Sequence, residues 1–178
     1  MNIAIFCGAN LGVDALYKEK SIELVDWMAS QEHDLVFGGG KVGLMGVVAD
    51  CMIAQGRKTI GVIPSFLKEL EIAHEGLNQL IVVEDMHQRK AKMMDLSQVF
   101  IALPGGPGTL EEIAEVISWV RVGQCQGSCI LYNINGYWDC LKMMFDQMVD
   151  QGFLTKQDRG KILFSDDIDE ISCFIQND

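Results

Sequence analysis

Short apolar runs alternate with helical patterns along this chain, and the alternation restricts the folds that it can adopt. The sequence predicts strands at residues 2–7, 34–37, 59–63, 80–83, 99–103, 129–132 and 162–164, and helices at residues 14–30, 44–55, 86–96, 109–122, 138–151 and 167–176. This order is typical of a doubly wound, mostly parallel α/β sheet of Rossmann-like type with helices on both faces. Ligands of such sheets bind beyond the carboxyl ends of the strands.

Length and composition favour one globular domain. The chain has 178 residues, 49 % of them hydrophobic, so we expect a single domain over residues 1–178 with a sizeable core. The net charge of −11 argues against nucleic acid or an anionic membrane as a partner. No apolar run approaches the roughly 20 residues that cross a bilayer. The N-terminal segment lacks the basic region of a signal peptide, so we expect a cytoplasmic location.

The cysteines favour reduced thiols over metal ligands. None of them forms a C-x-x-C pair, and no histidine lies near the most closely spaced two. We therefore expect no metal site and no disulfide framework. The six cysteines are Cys7, Cys51, Cys125, Cys129, Cys140 and Cys173.

The segment LPGGPGTLEE, residues 103–112, carries the strongest functional signal. It follows a predicted buried strand and precedes a helical pattern, so its glycines leave backbone N–H groups free at a helix N-terminus, where phosphate binds readily. Glu111 and Glu112 are expected in the first turn of that helix. The same residues also fit a capping box, with Thr109 at the N-cap and Glu112 at N3, which is a purely structural alternative.

The segment MHQRKAK, residues 86–92, concentrates positive charge in an acidic protein. A solvated basic helix face is the structural alternative. The strand before this segment is expected to neighbour the strand at 99–103, which would bring the basic residues to the glycine-rich turn. Arg89 could then hold a phosphate through two parallel hydrogen bonds.

A third glycine-rich segment, Gly38-x-Gly40-x-x-Gly43, matches the dinucleotide fingerprint only weakly, because no acidic residue ends the next strand. An NAD-linked oxidoreductase is therefore the least favoured function. A tight turn with close helix–sheet packing is one alternative. The other is a turn that approaches the base or sugar of a nucleotide, and on that basis Gly39 and Gly40 are candidate substrate-binding residues.

Four segments together resemble the Lonely Guy family of nucleoside-monophosphate phosphoribohydrolases. They are GGGKVGLMG at 38–46, EIAH at 71–74, MHQRK at 86–90 and PGGPGTLEE at 104–112. The resemblance covers nearly the whole chain, including NGYW at 135–138, and the paired MHxRK and PGGxGTxxE motifs are specific. Members are often labelled lysine decarboxylases, but this sequence lacks the Ser-x-His-Lys motif that anchors pyridoxal phosphate.

The resemblance implies hydrolysis of the N-glycosidic bond in a purine riboside 5′-monophosphate, giving free base and ribose 5-phosphate without a cofactor. Family substrates include cytokinin nucleotides and, in many bacterial members, AMP. Members are commonly dimers, so a homodimer is expected. By motif position, Arg89 and Glu112 would be the catalytic pair. The implied substrate-binding residues are Glu71, Lys90, Gly105, Gly106, Pro107, Gly108, Thr109, Leu110 and Glu111.

Pro107 departs from the family pattern, which often has tyrosine at this position. A proline has no N–H group to donate to a phosphate. The competing class is the molybdenum-cofactor carriers, which have a glycine-rich phosphate site and perform no hydrolysis. The presence of both Arg89 and Glu112 favours the enzyme over the carrier.

Overall fold

Seven parallel strands form one sheet in the order β4-β3-β2-β1-β5-β6-β7. The computed structural model describes residues 1–68 and 73–177. The strands are β1 Asn2–Phe6, β2 Asp34–Phe37, β3 Thr59–Pro64, β4 Gln79–Val83, β5 Val99–Ala102, β6 Ser128–Tyr132 and β7 Ile162–Ser165. The α-helices are α1 Ala15–Ser30, α2 Gly43–Ala54, α3 Met86–Leu96, α4 Pro107–Arg121, α5 Asp139–Asp150, α6 Lys156–Arg159 and α7 Ile168–Gln176.

Alternate residues of the central strand β1 enter two different cores, one on each face of the sheet. Ile3 and Ile5 pack in the core that is covered by α1, α2 and α7. Ala4 and Phe6 pack in the core that is covered by α3, α4 and α5. A strand that is buried on both faces is apolar throughout, as expected for a doubly covered parallel sheet. The predicted fold is therefore confirmed.

The predicted boundaries differ from the observed ones by one or two residues for most elements. Three short elements were not predicted: the 3₁₀ turns Ser65–Leu67 and Ile134–Gly136, and α6. Their sequences are too short to show a helical period. No helix within residues 1–68 and 73–177 combines the length and apolarity needed to cross a membrane.

The expected adjacency of the strands before α3 and α4 is wrong. β4 is the edge strand beyond β3, whereas β5 lies at the centre beside β1. The basic segment nevertheless reaches the glycine-rich turn, because α3 crosses back over β3, β2 and β1. A crossover helix, and not a pair of neighbouring strands, brings the two motifs together.

The capping box at the start of α4 is also wrong. The helix begins at Pro107, with Gly106 at the N-cap and no capping side chain. Proline suits the first helical position, because its fixed φ fits the helix and its missing N–H would have no partner there. Thr109 is therefore the third helical residue and Glu112 the sixth, so the two glutamates lie beyond the first turn.

Candidate active site

A cleft of about 490 Å³ opens at the carboxyl ends of β1 and β5, where the chain order of the sheet reverses. This is the usual ligand position in doubly wound sheets. Residues 7–12 after β1 form one wall, and the glycine turn, defined here as residues 104–109, forms another. The remaining lining residues are Tyr17, Leu44, Met45, Leu67, Met86, Arg89, Glu112 and Tyr137.

Arg89 enters the cleft from the first turn of α3 and is buried. Asp85 begins this helix by accepting a hydrogen bond from Gln88 N at 2.8 Å. The guanidinium lies against Gly38, at the end of β2, where a Cβ atom would be only 1.9 Å from Arg89 Nη2. Gly38 thus provides the space in which the Arg89 side chain reaches the cleft.

Glu112, on α4, also lines the cleft and is buried. Its Oε1 atom is 3.7 Å from Arg89 Nη2. Both side chains line the same cavity, one from α3 and one from α4. A positive charge next to a carboxylate, both largely shielded from water, gives a site that can hold an anion and stabilise a cationic transition state.

The glycine turn brings backbone donors to the cleft. Gly8 N donates to Pro104 O at 3.2 Å, which joins the turn to the end of β1. A Cβ atom on Gly105 would lie 2.1 Å from Thr109 Oγ1, so a side chain is excluded there. Gly106 and Gly108 have open space where a Cβ atom would project. The first N–H groups of α4 have no acceptor inside the helix, so the turn presents the kind of backbone donors that anions bind.

Lys90 takes a different direction from Arg89. Its buried Nζ atom binds Glu111 Oε1 and Glu115 Oε2 on α4, and it is not among the lining residues of the cleft. Burial acts to lower the pKa of Lys90, but the hydrogen bonds to both glutamates outweigh it and raise the pKa above its usual value. Lys90 thus connects the two helices that carry Arg89 and Glu112.

Comparison with known proteins identifies the family. Residues 45–173 match a family model described as "Possible lysine decarboxylase". Cytokinin riboside 5′-monophosphate phosphoribohydrolase LOG1 of Arabidopsis thaliana is 44 % identical over 90 % of this chain and 76 % of its own. The LOG7 enzyme of the same plant is 41 % identical over 95 % of this chain and 78 % of its own. This chain belongs to the Lonely Guy family. The family predicted from the four motifs is therefore confirmed.

Solved structures show the same fold at lower identity. The molybdenum cofactor carrier protein of Chlamydomonas reinhardtii superposes with a TM-score of 0.73 at 18 % identity, covering 99 % of this chain and 96 % of the carrier. The molybdenum cofactor binding protein of Rippkaea orientalis gives 0.68 at 19 % identity, covering 99 % and 95 %. At this identity the likeness describes the architecture alone.

The Lonely Guy motifs fall into two groups in the structure. One group lines the cleft: Arg89, Glu112, Gly105, Gly106, Gly108 and Thr109. The other group does not line it: Lys90, Glu111, Pro107, Leu110, Gly39 and Gly40. Glu71 lies outside the described residues. The roles that the family resemblance implies for all of these residues stay predictions.

Gly39 and Gly40 have a structural contact of their own. Gly39 O accepts a hydrogen bond from His74 N at 2.9 Å, and Gly40 forms a bridge with Ala73. The His74 ring is buried and joins Asp50 on α2 at 2.9 Å. Ala73 and His74 therefore join the glycine segment after β2 to α2.

Several lining residues were not predicted from the sequence. Leu67, Met45 and Met86 form an apolar part of the wall. Met45 and Met86 lie within the GGGKVGLMG and MHQRK segments, but no role was predicted for their side chains, and Leu67 gives no sequence signal that separates a pocket wall from the core. Tyr137 belongs to the NGYW segment, and the sequence alone indicates no role for its side chain. No group of three or more metal-binding side chains occurs within the described part of the chain.

Proposed function

We propose that this protein hydrolyses the N-glycosidic bond of an adenine or N6-substituted adenine riboside 5′-monophosphate to free base and ribose 5-phosphate. The observation that carries the proposal is the buried Arg89–Glu112 pair at the mouth of the glycine turn. The names of the similar plant proteins, cytokinin riboside 5′-monophosphate phosphoribohydrolases, describe the same reaction class.

The pair suits the charge changes of the reaction. Breaking a glycosidic bond builds positive charge on the ribose ring and C1′, while electrons move onto the departing base. The Glu112 carboxylate can stabilise that positive charge and orient or deprotonate the attacking water. Arg89 holds either the phosphate or the Glu112 carboxylate. In both cases it fixes the position of the ribose relative to the Glu112 carboxylate.

The glycine turn suits the 5′-phosphate. Gly106, Gly108 and Thr109 line the cleft at the N-terminus of α4, where the helix dipole favours an anion. In a chain of net charge −11, a local group of backbone donors beside Arg89 offsets the general repulsion of a phosphate. Binding energy from the phosphate then positions C1′ at the carboxylate.

The apolar part of the wall suits the base. Leu44, Met45, Leu67 and Met86 all line the cleft. A volume of about 490 Å³ lies within the usual range for small-molecule sites. This surface is suited to a planar base and to an apolar N6 substituent.

Base release from AMP and from an N6-prenylated AMP tests the proposal. We expect wild-type protein to release the base from at least one of them, and Glu112→Gln to lower kcat by about 10²–10⁴-fold with unchanged circular dichroism. Glutamine conserves the size of the side chain but cannot act as a base. Glu19→Gln, which removes the same charge from an exposed site on α1, is the matched control and should keep wild-type activity.

Adenosine is the substrate control. Losing the phosphate anchor should lower kcat/KM by about 10³-fold relative to AMP. A wild-type protein that binds nucleotide but releases no base would favour a carrier function instead. Near wild-type kcat in Glu112→Gln would contradict the catalytic assignment.

We further propose that the protein works as a homodimer. Support comes from apolar side chains that are exposed near the end of α4, the helix that carries Glu112. Val122 is 66 % exposed and Trp119 is 41 % exposed. Exposed apolar groups of this kind often mark association surfaces.

A further inference from the structure

The segment between β6 and α5 is an elaborate turn. Asn133 Oδ1 accepts a hydrogen bond from Trp138 N at 2.7 Å, and Asn133 Nδ2 donates to Asp139 Oδ1 at 2.7 Å. Asn135 has a φ of 51°, one of two positive values at non-glycine residues in the described chain, and Gly136 follows with a φ of 70°. Such conformations are costly and persist where the surrounding structure holds them, often near functional sites.

The turn places the Tyr137 ring between two other aromatic rings. The Tyr17 ring lies 5.8 Å away and the Trp138 ring 4.9 Å away, both in edge-to-face geometry. Edge-to-face pairs of this spacing are favourable and fix the ring orientation. With its ring held in this way, Tyr137 donates a hydrogen bond from Oη to Gly105 O at 2.5 Å.

The acceptor of this bond is a peptide of the glycine turn. The Gly105–Gly106 peptide is trans, so its C=O and N–H groups point in opposite directions. A hydrogen bond that fixes Gly105 C=O therefore also fixes the direction of Gly106 N–H. It also reduces the partial negative charge that the carbonyl would otherwise present to an anion.

The direction of Gly106 N–H matters because the start of α4 has few backbone N–H groups to offer an anion. Pro107 contributes no N–H group, so the start of α4 relies on the amides of Gly106, Gly108 and Thr109. Gly108 and Thr109 are held by the helix itself. Gly106 is the N-cap and has no capping side chain, so its peptide depends on contacts from outside the helix.

We propose that Tyr137 is a positioning residue that acts through Gly105. Its hydroxyl sets the glycine turn in the conformation that binds a phosphate. The identity of the phosphate, the 5′-phosphate of a nucleotide, rests on the proposed function. In this interpretation the NGYW segment holds the Tyr137 hydroxyl in hydrogen-bonding contact with the Gly105 carbonyl.

Tyr137→Phe tests this role because it removes the hydroxyl and keeps the ring. We expect the dissociation constants of inorganic phosphate and ribose 5-phosphate, measured by calorimetry, to rise about 3- to 10-fold. KM for AMP should rise by a similar factor with little change in kcat. Affinity for adenine, which lacks a phosphate, should stay at the wild-type value.

Tyr132→Phe is the matched control. Tyr132 is fully buried in the core at the end of β6, and among the described residues its hydroxyl has no hydrogen-bond partner. This variant loses the same atom without touching the glycine turn, so its phosphate affinity should equal that of wild type. Equal phosphate affinity in wild type and Tyr137→Phe would overturn the inference, and so would an equal loss in both variants.

The test separates this inference from the proposed function. If wild type releases no base from AMP, the proposed function fails, yet the phosphate titration still compares Tyr137→Phe with Tyr132→Phe. If base release is normal and only the titration shows no difference, the proposed function stands and the role of Tyr137 fails. A loss of adenine affinity equal to the loss of phosphate affinity would mean general damage to the cleft and would also overturn it.

Discussion

Gly108 shows how one residue can affect stability and binding in opposite directions. It is the second residue of α4, and a Cβ atom there would meet open space. Alanine restricts the unfolded chain and suits a helix better than glycine. In the proposed complex the phosphate occupies that open space, so a Cβ atom there would contact it.

We therefore expect Gly108→Ala to raise the free energy of unfolding by about 0.5 kcal/mol and to lower kcat/KM for AMP. Urea unfolding and base-release assays would measure the two effects. Gly160→Ala, at the end of α6 with a helical φ of −65°, is the control that should stabilise without a change in activity. Full activity in Gly108→Ala would show that the phosphate does not approach this part of the turn.

Motifs predicted which residues meet in the cleft better than they predicted the backbone that holds them. Arg89, Glu112 and Gly105 were implied by the resemblance of their motifs to the family, and all three line the cleft. The start of α4 was not predicted correctly. Thr109 and Glu112 match a capping pattern that would begin the helix at Leu110, whereas Pro107 suits the first helical position. The sequence thus contains signals for two different helix starts. The chain adopts the start at Pro107, in which Thr109 lies close to Gly105.

Helices α3 and α4 are joined by the contact of Lys90 with two glutamates. The pKa of Lys90 is raised in the folded protein, so folding favours its charged form. The stabilising contribution is therefore complete below the unfolded pKa of about 10.4 and is lost as pH rises through the higher folded value.

We expect Lys90→Met to lower the free energy of unfolding by about 1–2 kcal/mol near neutral pH, because Glu111 and Glu115 lose their partner while remaining partly hydrated. The difference from wild type should shrink above about pH 10.5. Urea titrations across that range would measure it. A constant difference at all pH values would mean that packing, and not charge, causes the loss.

The same variant also tests the predicted contact of Lys90 with substrate. Glu115→Gln weakens the same junction without removing the lysine. If Lys90 acts only by joining the helices, phosphate affinity should change alike in Lys90→Met and Glu115→Gln. A larger loss in Lys90→Met would support the substrate contact implied by the family.

At the scale of the elements, apolar runs located all seven strands but not their order. β4 reads QLIVV, as apolar as an interior strand, yet it is an edge strand with Val82 exposed. An apolar run gives no information about its neighbours when hydrophobic residues face both sides. The path of α3 back to the centre of the sheet follows from this order and was therefore not predictable from spacing alone.

The assembly of the whole molecule gives a further prediction. We expect a dimer in light scattering at micromolar concentration, with Val122→Glu shifting the population toward monomer. Val122 follows α4 and is highly exposed, so a charge there should spare the monomer fold while opposing apolar association. Wild-type protein that is monomeric at these concentrations would contradict the prediction.

The pairing of β1 with β5 has a consequence for how the protein folds. Ile3 faces Val99 in this pair, so the centre of the sheet closes only when distant parts of the chain meet. Such non-local topology is associated with slow folding. The cleft lies at this junction, so a phosphate bound there would stabilise the paired form of β1 and β5 over forms in which the two strands have separated. Bound phosphate should therefore slow amide hydrogen exchange in β1 and β5 together, as one cooperative unit.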